Sequence, residues 1–281
     1  MWYHIAMKKK WLLTSMILML LILPGLDQRM KVVRYSLSDE RIENNIRIVL
    51  VSDLHSCAYG KNQKTLVDAI KREEPDVIAL CGDIFDHEIP DEGADIFLAG
   101  IQGICPVFYV TGNHEYWTDP TDFYKKMDIL AKYGIRRLKG ETVELQVHET
   151  KLYFSGIDDP DARWIERETS FSGQLEAVKG NDGYTILLSH RPERFQAYCD
   201  SGFDLVLCGH AHGGQWRIPF LLNGVFAPHQ GFFPEYAGGK YQLGNTTMIV
   251  SRGLARETTR VPRFYNRPEL VVIDLCKSSF H

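Results

Sequence analysis

The sequence is short of several things. Its six cysteines, Cys57, Cys81, Cys105, Cys199, Cys208 and Cys276, are scattered through 281 residues. No two form a CxxC pair, which argues against a thiolate zinc site. Cys81 and Cys208 end apolar runs, where a cysteine packs as a small hydrophobe, so free thiols are expected. That usage points to a reducing environment or a disulfide-poor host. Positive charge is not in surplus either: 32 Lys+Arg stand against 36 Asp+Glu, a net charge of −4. A sequence-independent nucleic-acid binder releases counterions with excess cations, so no nucleic-acid partner is expected. Beyond residue 40 there is no internal repeat and no low-complexity linker. The motifs HExxH and HxHxDH, which would mark metal-assisted amide or ester hydrolysis, are missing. The remaining composition, 44% hydrophobic and 24% charged, is that of an ordinary globular chain.

The N-terminus differs from the rest. Lys8, Lys9 and Lys10 precede a 13-residue run from Trp11 to Leu23 that is largely apolar, and Pro24-Gly25 ends it. A basic stretch followed by an apolar core reads as a targeting or anchoring segment over residues 1–31. The core reaches about 20 Å as a helix, short of a hydrocarbon layer of about 30 Å, unless Leu26 and the residues before Lys8 lengthen it. With no small-x-small cleavage site, an uncleaved single anchor in the cell membrane is expected, with a cleaved signal as the alternative. The first-helix default places the main domain on the extracytoplasmic side. Arg29, Lys31 and Arg34 beyond the run oppose Lys8–Lys10 and leave the orientation open.

Residues 45–276 read as one catalytic domain. Ile46–Ser52, Asp76–Cys81 and Val107–Val110 are short β-branched runs, hence buried strands. Leu66, Ala69 and Ile70 mark a helix face between the first two, giving a βαβ unit. Asp119-Pro120 opens a helix whose apolar face is Phe123, Met127, Leu130 and Ala131 and which Gly134 closes. Residues 143–147 and 151–156 suggest an antiparallel hairpin, and 185–189, 205–208, 248–251 and 270–275 are further strands. The expected fold is α/β: a four-layer α-β-β-α sandwich of two mixed sheets flanked by helices.

Chemistry gathers where these strands end. Asp53-Leu54-His55, Gly82-Asp83-Ile84-Phe85-Asp86, Gly112-Asn113-His114-Glu115, His190 and Gly209-His210-Ala211-His212 each follow an apolar run. In α/β sheets ligands bind outside the carboxyl ends of strands, so five such ends imply one shared site. Asp and Asn offer hard oxygen and His offers imidazole nitrogen, a mixture suited to Mn, Fe or Zn. So many donors exceed the three of a catalytic zinc and suit two divalent cations about 3.5–4 Å apart. Isolated histidines usually pack or face solvent, and His4, His87, His148, His229 and His281 are read that way.

Those five blocks, in this order over residues 53–212, resemble the calcineurin-like metallophosphoesterases. Gly213-Gly214-Gln215, Ser251-Arg252-Gly253-Leu254, Arg263 and Pro268-Glu269 resemble the membrane-associated bacterial branch of YaeI- and YkuE-type phosphodiesterases, related to enzymes that cleave UDP-2,3-diacylglucosamine. Some YkuE-like members carry a twin-arginine export signal; here Lys8-Lys9-Lys10 stands instead. The resemblance implies that Asp53, His55 and His212 bind one metal, that Asn113, His190 and His210 bind a second, and that Asp83 bridges them. The pair would lower the pKa of a water for in-line attack on phosphorus. His114 would contact a non-bridging oxygen or protonate the leaving alkoxide, with Asp86 or Glu115 orienting it.

The substrate side is less determined. Trp216–Tyr241 is rich in aromatic and aliphatic residues and reads either as an apolar rim for an acyl chain or as core beneath the last strands. Arg217, Arg252 and Arg263 are either phosphate contacts or surface arginines. The expected function is a dinuclear-metal phosphodiesterase or pyrophosphatase acting on a lipid-linked or amphiphilic phosphoester, such as UDP-2,3-diacylglucosamine or a phospholipid. The alternative is hydrolysis of soluble nucleotides or phosphoproteins. A non-catalytic binding module is disfavoured because no ligand block is missing.

Overall fold

The computed structural model describes residues 22–167, 170–178, 182–256 and 262–278, with positions 7, 11, 14–16, 19 and 20 before them. The first sheet is nucleated by runs buried on both faces. β2 (Ile46–Val51), β3 (Val77–Cys81) and β4 (Val107–Val110) lie parallel. Parallel neighbours need crossovers, which α1 (Lys64–Arg72) and α2 (Glu92–Ile101) supply. β1 (Lys31–Asp39), β5 (Arg136–Arg137) and β14 (Glu269–Lys277) complete the order β1-β14-β2-β3-β4-β5, with β14 antiparallel to β2. The second sheet runs β12 (Gly239–Leu243), β13 (Thr246–Val250), β9 (Leu205–Cys208), β8 (Tyr184–Leu188), β7 (Thr150–Gly156), β6 (Glu141–Val147). The pair β6–β7 is the expected hairpin, and β8 and β9 are parallel. A short ribbon, β10 (Phe226–Ala227) with β11 (Gly231–Phe232), stands apart.

Alternation along each strand sorts the core into layers. Ile48, Leu50, Ala79 and Val110 face inward against Phe154, Ile186, Leu188, Leu207 and Ile249 of the second sheet. On the outer face of the first sheet, Val49, Val51 and Leu80 pack on Leu66, Ile70, Phe97 and Leu98 of α1 and α2, and on Leu130. Leu130 belongs to a helix capped as expected: Asp119 accepts the N–H groups of Thr121 and Asp122 over Pro120–Lys132. Outside the second sheet, Leu187, Val206 and Met248 meet Leu175, Phe195 and Tyr198. This is the expected four-layer α-β-β-α arrangement of two mixed sheets.

Two features differ from expectation. β1 was not expected as a strand, yet Val33, Tyr35 and Leu37 alternate with Arg34, Ser36 and Ser38, the pattern of a half-buried edge strand, and pair with β14. The expected membrane anchor is overturned. Among the described residues no helix is long and apolar enough to cross a membrane. Pro24 and Gly25 turn the end of the apolar run into a 3-10 helix, Leu23–Leu26, and Gly25 is buried against Phe264 with its carbonyl accepting the Tyr265 N–H at 2.7 Å. The reading of a membrane side falls with the anchor, and Lys8–Lys10 lie outside the described residues.

Candidate metal centre

The carboxyl ends of β2, β3 and β4 meet those of β8 and β9. His190 Nδ1 lies 2.8 Å from the Cys81 carbonyl, and the His210 N–H donates to Asp53 Oδ1 at 3.0 Å, so the seam between the sheets is bonded at the site. Asp53, His55, Asp83, His210 and His212 all take left-handed φ values of 51°, 49°, 53°, 67° and 48°. Non-glycine residues rarely pay that backbone cost, and strain of this kind collects at functional sites. The glycines of the motifs have a steric reason. A Cβ on Gly112 would lie 2.2 Å from Asp83 Oδ1, and one on Gly209 would lie 1.7 Å from Ser52 Oγ.

Four donor groups occur among the described residues; besides His55 with Asp86 and His114, and His210 with Glu193 and His229, two gather the expected ligands. Asp53, His55, Asp83 and His212 offer ligand atoms within 4.8 Å of one another, Asp83, His190 and His210 do the same, and Asp83 belongs to both. His55 Nε2, Asp83 Oδ2, Asn113 Oδ1 and His212 Nδ1 are buried without a hydrogen-bond partner among the described residues. Buried polar atoms are normally satisfied, so this concentration of orphaned donors and acceptors fits divalent cations. Asp83 Oδ1 accepts the His114 N–H at 2.9 Å, which leaves Oδ2 near His190 Nε2 at 3.1 Å and His55 Nε2 at 3.6 Å.

Electrostatics sharpens the picture. Burial lowers the His210 and His212 imidazoles well below their ordinary value, which keeps them neutral as ligands must be. Burial would lower His190 too, but the Asp83 carboxylate beside it pushes it up to about 10. Burial alone would raise Asp83, yet His190 and His114 hold it well below the usual carboxylate range. Without a cation, a proton on His190 takes the place of the positive charge.

Asp86 holds His114, while Glu115 has another task. Asp86 Oδ2 sits 2.8 Å from His55 Nδ1 and 3.1 Å from His114 Nδ1, and its Oδ1 accepts the Glu88 and Ile89 N–H groups. Glu115 is buried and accepts backbone N–H groups from Asp83, Phe85 and Gly112 at 3.0, 3.1 and 2.7 Å. It ties together the loops that carry Asp83 and Asn113.

Two histidines that sequence reasoning set aside belong to the centre. His87 Nδ1 is 2.9 Å from His114 Nδ1, and Trp117 lies tilted beside His114 at 4.6 Å between ring centroids. His229 Nδ1 is 2.9 Å from His210 Nε2, and Arg191, paired with Asp159, reaches both rings. Adjacency to Asp86 was the one signal for His87; His229 sits in the turn between β10 and β11, with no pattern to reveal it. His148 behaves as expected, pairing with Asp76 away from the centre; His4 and His281 lie outside the described residues. Arg263, expected either on phosphate or on the surface, is not on the surface: it is 1% exposed and donates through Nε to the Ala255 carbonyl. The stretch after His212 is divided: Trp216, Phe220, Leu221, Phe232 and Phe233 are exposed, while Ala227 is buried in the core outside the second sheet and Tyr236 and Tyr241 pack against it.

Comparison with known proteins agrees with this geometry. The family model described as calcineurin-like phosphoesterase matches residues 46–214. An uncharacterized metallophosphoesterase of Aquifex aeolicus is 30% identical over 257 residues, covering 88% of this chain and 92% of its own. The phosphodiesterase YaeI of Escherichia coli is 25% identical over 236 residues, covering 82% of each chain. Among solved structures, the Thermus thermophilus sulfate thiohydrolase SoxB superposes with a TM-score of 0.51 at 13% identity, over 76% of this chain and 53% of that one, a likeness of fold alone. The motif blocks, the shared Asp83 and these relatives together make the chain a member of the calcineurin-like phosphoesterase family, a metal-dependent phosphoester hydrolase.

Proposed function

We propose that this hydrolase is a dinuclear phosphodiesterase or pyrophosphatase acting on a lipid-linked or amphiphilic phosphoester, such as UDP-2,3-diacylglucosamine or a phospholipid. The observation that carries the dinuclear reading is the pair of ligand groups sharing Asp83. In this reading Asp53, His55 and His212 hold one cation, Asn113, His190 and His210 hold the other, and Asp83 serves both. The oxygen and imidazole donors suit Mn, Zn or Fe. When bound, the cations supply Lewis-acid stabilisation of the charge on the phosphoryl oxygens and a lowered pKa for a nearby water.

The chain's own residues do the rest. His114 commits Nδ1 to Asp86 and His87, so Nε2 is the nitrogen left to face the substrate. Burial opposes a charge on His114, but Asp83 and Asp86 raise its pKa, which favours the protonated ring that a leaving alkoxide needs. The exposed apolar stretch after His212 supports an amphiphilic substrate. Hydrolysis of bis-p-nitrophenyl phosphate by the Mn²⁺-loaded protein tests the chemistry. Asp83→Ala and His114→Ala each abolish it; undiminished turnover in both removes the mechanism.

A second reading, a soluble nucleotide as substrate, is favoured by one observation. Trp117 is half-exposed beside His114 and offers a flat ring to a base. Comparing kcat/KM for UDP-diacylglucosamine, phospholipids, nucleotides and phosphoproteins separates the two.

A further inference from the structure

A second concentration of charge lies beside the turn that carries His212. Arg217 and Arg252 line a cavity of about 470 Å³. Arg252 and Lys31 share one carboxylate, Glu269, at 3.4 and 3.6 Å. That carboxylate also accepts the Arg252 backbone N–H through Oε1 at 3.0 Å. Arg217 donates to the Gly213 carbonyl at 3.2 Å and to Asn223 Oδ1, both neutral acceptors. Three cations therefore stand around one anion. Burial, then the neighbouring charge of Arg252, pull Arg217 down to about 10, and the same two causes lower Lys31.

The other wall of the cavity is apolar. Residues 218–222 form a tight turn closed by Ile218 and Leu222, whose N–H groups donate to each other's carbonyls at 3.1 and 2.9 Å. At its tip Phe220 is fully exposed and Leu221 is 84% exposed. Phe220 also holds a left-handed φ of 68°. Apolar side chains held in water on a strained turn, next to three cations that share a single carboxylate, match a ligand that is anionic at one end and apolar at the other. The cavity is close to the first ligand group. Gly213, which Arg217 contacts, follows His212, and Gly253, next to Arg252, packs so tightly on Asp53 that a Cβ would lie 2.5 Å from Asp53 Cβ.

We propose that this cavity binds a phosphate-bearing amphiphile, with the phosphate between Arg217 and Arg252 and the chain along Phe220 and Leu221. The inference rests on the amphiphile reading of the substrate and names the part of the protein that would hold its second anionic group and tail.

Calorimetric titration of the Mn²⁺-loaded full chain tests it, with decyl phosphate below its micellar concentration, inorganic phosphate and uncharged decyl maltoside as probes. Decyl phosphate should bind at least about tenfold more tightly than either of the others, as expected when a charge-assisted contact and an apolar contact act together. Arg217→Gln should weaken decyl phosphate by about tenfold, and Phe220→Ser with Leu221→Ser should bring it to the level of inorganic phosphate. The double serine variant changes only exposed side chains, so its thermal unfolding midpoint stays at the wild-type value and shows that the fold is intact. Equal binding of decyl phosphate and inorganic phosphate, or wild-type affinity in both variants, overturns the site. If decyl phosphate binds as described but no lipid phosphoester is hydrolysed, the cavity stands and the lipid-substrate reading falls. If lipid esters are hydrolysed while both variants bind normally, the cavity falls and the reading stands.

Discussion

Replacing Asp86 by Asn is the most informative perturbation of the centre. One oxygen, Oδ2, serves two imidazoles, 2.8 Å from His55 Nδ1 and 3.1 Å from His114 Nδ1. The other, Oδ1, accepts the N–H groups of Glu88 and Ile89, so an amide is pinned with its oxygen there and its NH₂ towards the two histidines. Two charge-assisted bonds become donor–donor contacts. Each such bond is worth about 1.5–3 kcal/mol, and loss of an outer partner of a metal-site histidine typically costs about 10–100-fold. We expect kcat to fall about 10–100-fold with KM little changed, because neither bond touches the substrate. The pH profile gives a second reading. Burial lowers His114, but the carboxylates of Asp83 and Asp86 raise it above its ordinary value. An acid with a raised pKa is active below that pKa and loses activity as pH rises through it. Removing the Asp86 charge lowers the His114 pKa, so the alkaline limb of kcat moves to lower pH. Rates on bis-p-nitrophenyl phosphate at saturating Mn²⁺ measure both effects. An alkaline limb that stays in place while kcat falls would show that Asp86 acts only through His55.

Two further outcomes follow from the same geometry. His190 stands at about 10 in the metal-free chain, so below that pH a cation must displace its proton; affinity should rise with pH by up to about tenfold per unit, with close to one proton released, as calorimetry in buffers of different ionisation enthalpy reports, and uptake with no proton release contradicts it. Glu115→Ala leaves the N–H groups of Asp83, Phe85 and Gly112 without their acceptor and should cost about 3 kcal/mol or more in urea unfolding; a change below about 0.5 kcal/mol would mean these groups find water instead.

The layers and the gathering of the motif blocks at the strand ends were legible because they rest on local signals. Runs such as Ile46–Val51 are buried on both faces and announce themselves by composition, and Asp119-Pro120 is a cap with a chemical cause. What stayed hidden depends on tertiary placement. β1 alternates with polar residues and becomes a strand only because β14 offers it an edge. The roles of Asp86 and Glu115 could not be divided from spacing: Glu115 adjoins His114 and Asp86 lies 28 positions away, yet in the fold it is Asp86 that grips imidazoles and Glu115 that grips backbone. His229 comes to His210 on the connection between β10 and β11, from a stretch with no period to read. At the N-terminus the anchor reading rested on composition although the run was already short for a membrane, and its described end, Leu23–Leu26, is a 3-10 helix.

The two sheets divide the proposed ligands between them. Asp53 and His55 follow β2 and Asn113 follows β4 in the first sheet, while His190, His210 and His212 follow β8 and β9 in the second. In the proposed assignment each cation would be gripped from both halves, so the pair acts as a rivet through the sandwich. Chelation should then loosen the middle of the molecule before its outer helices, and the midpoint of thermal unfolding should climb with free cation concentration.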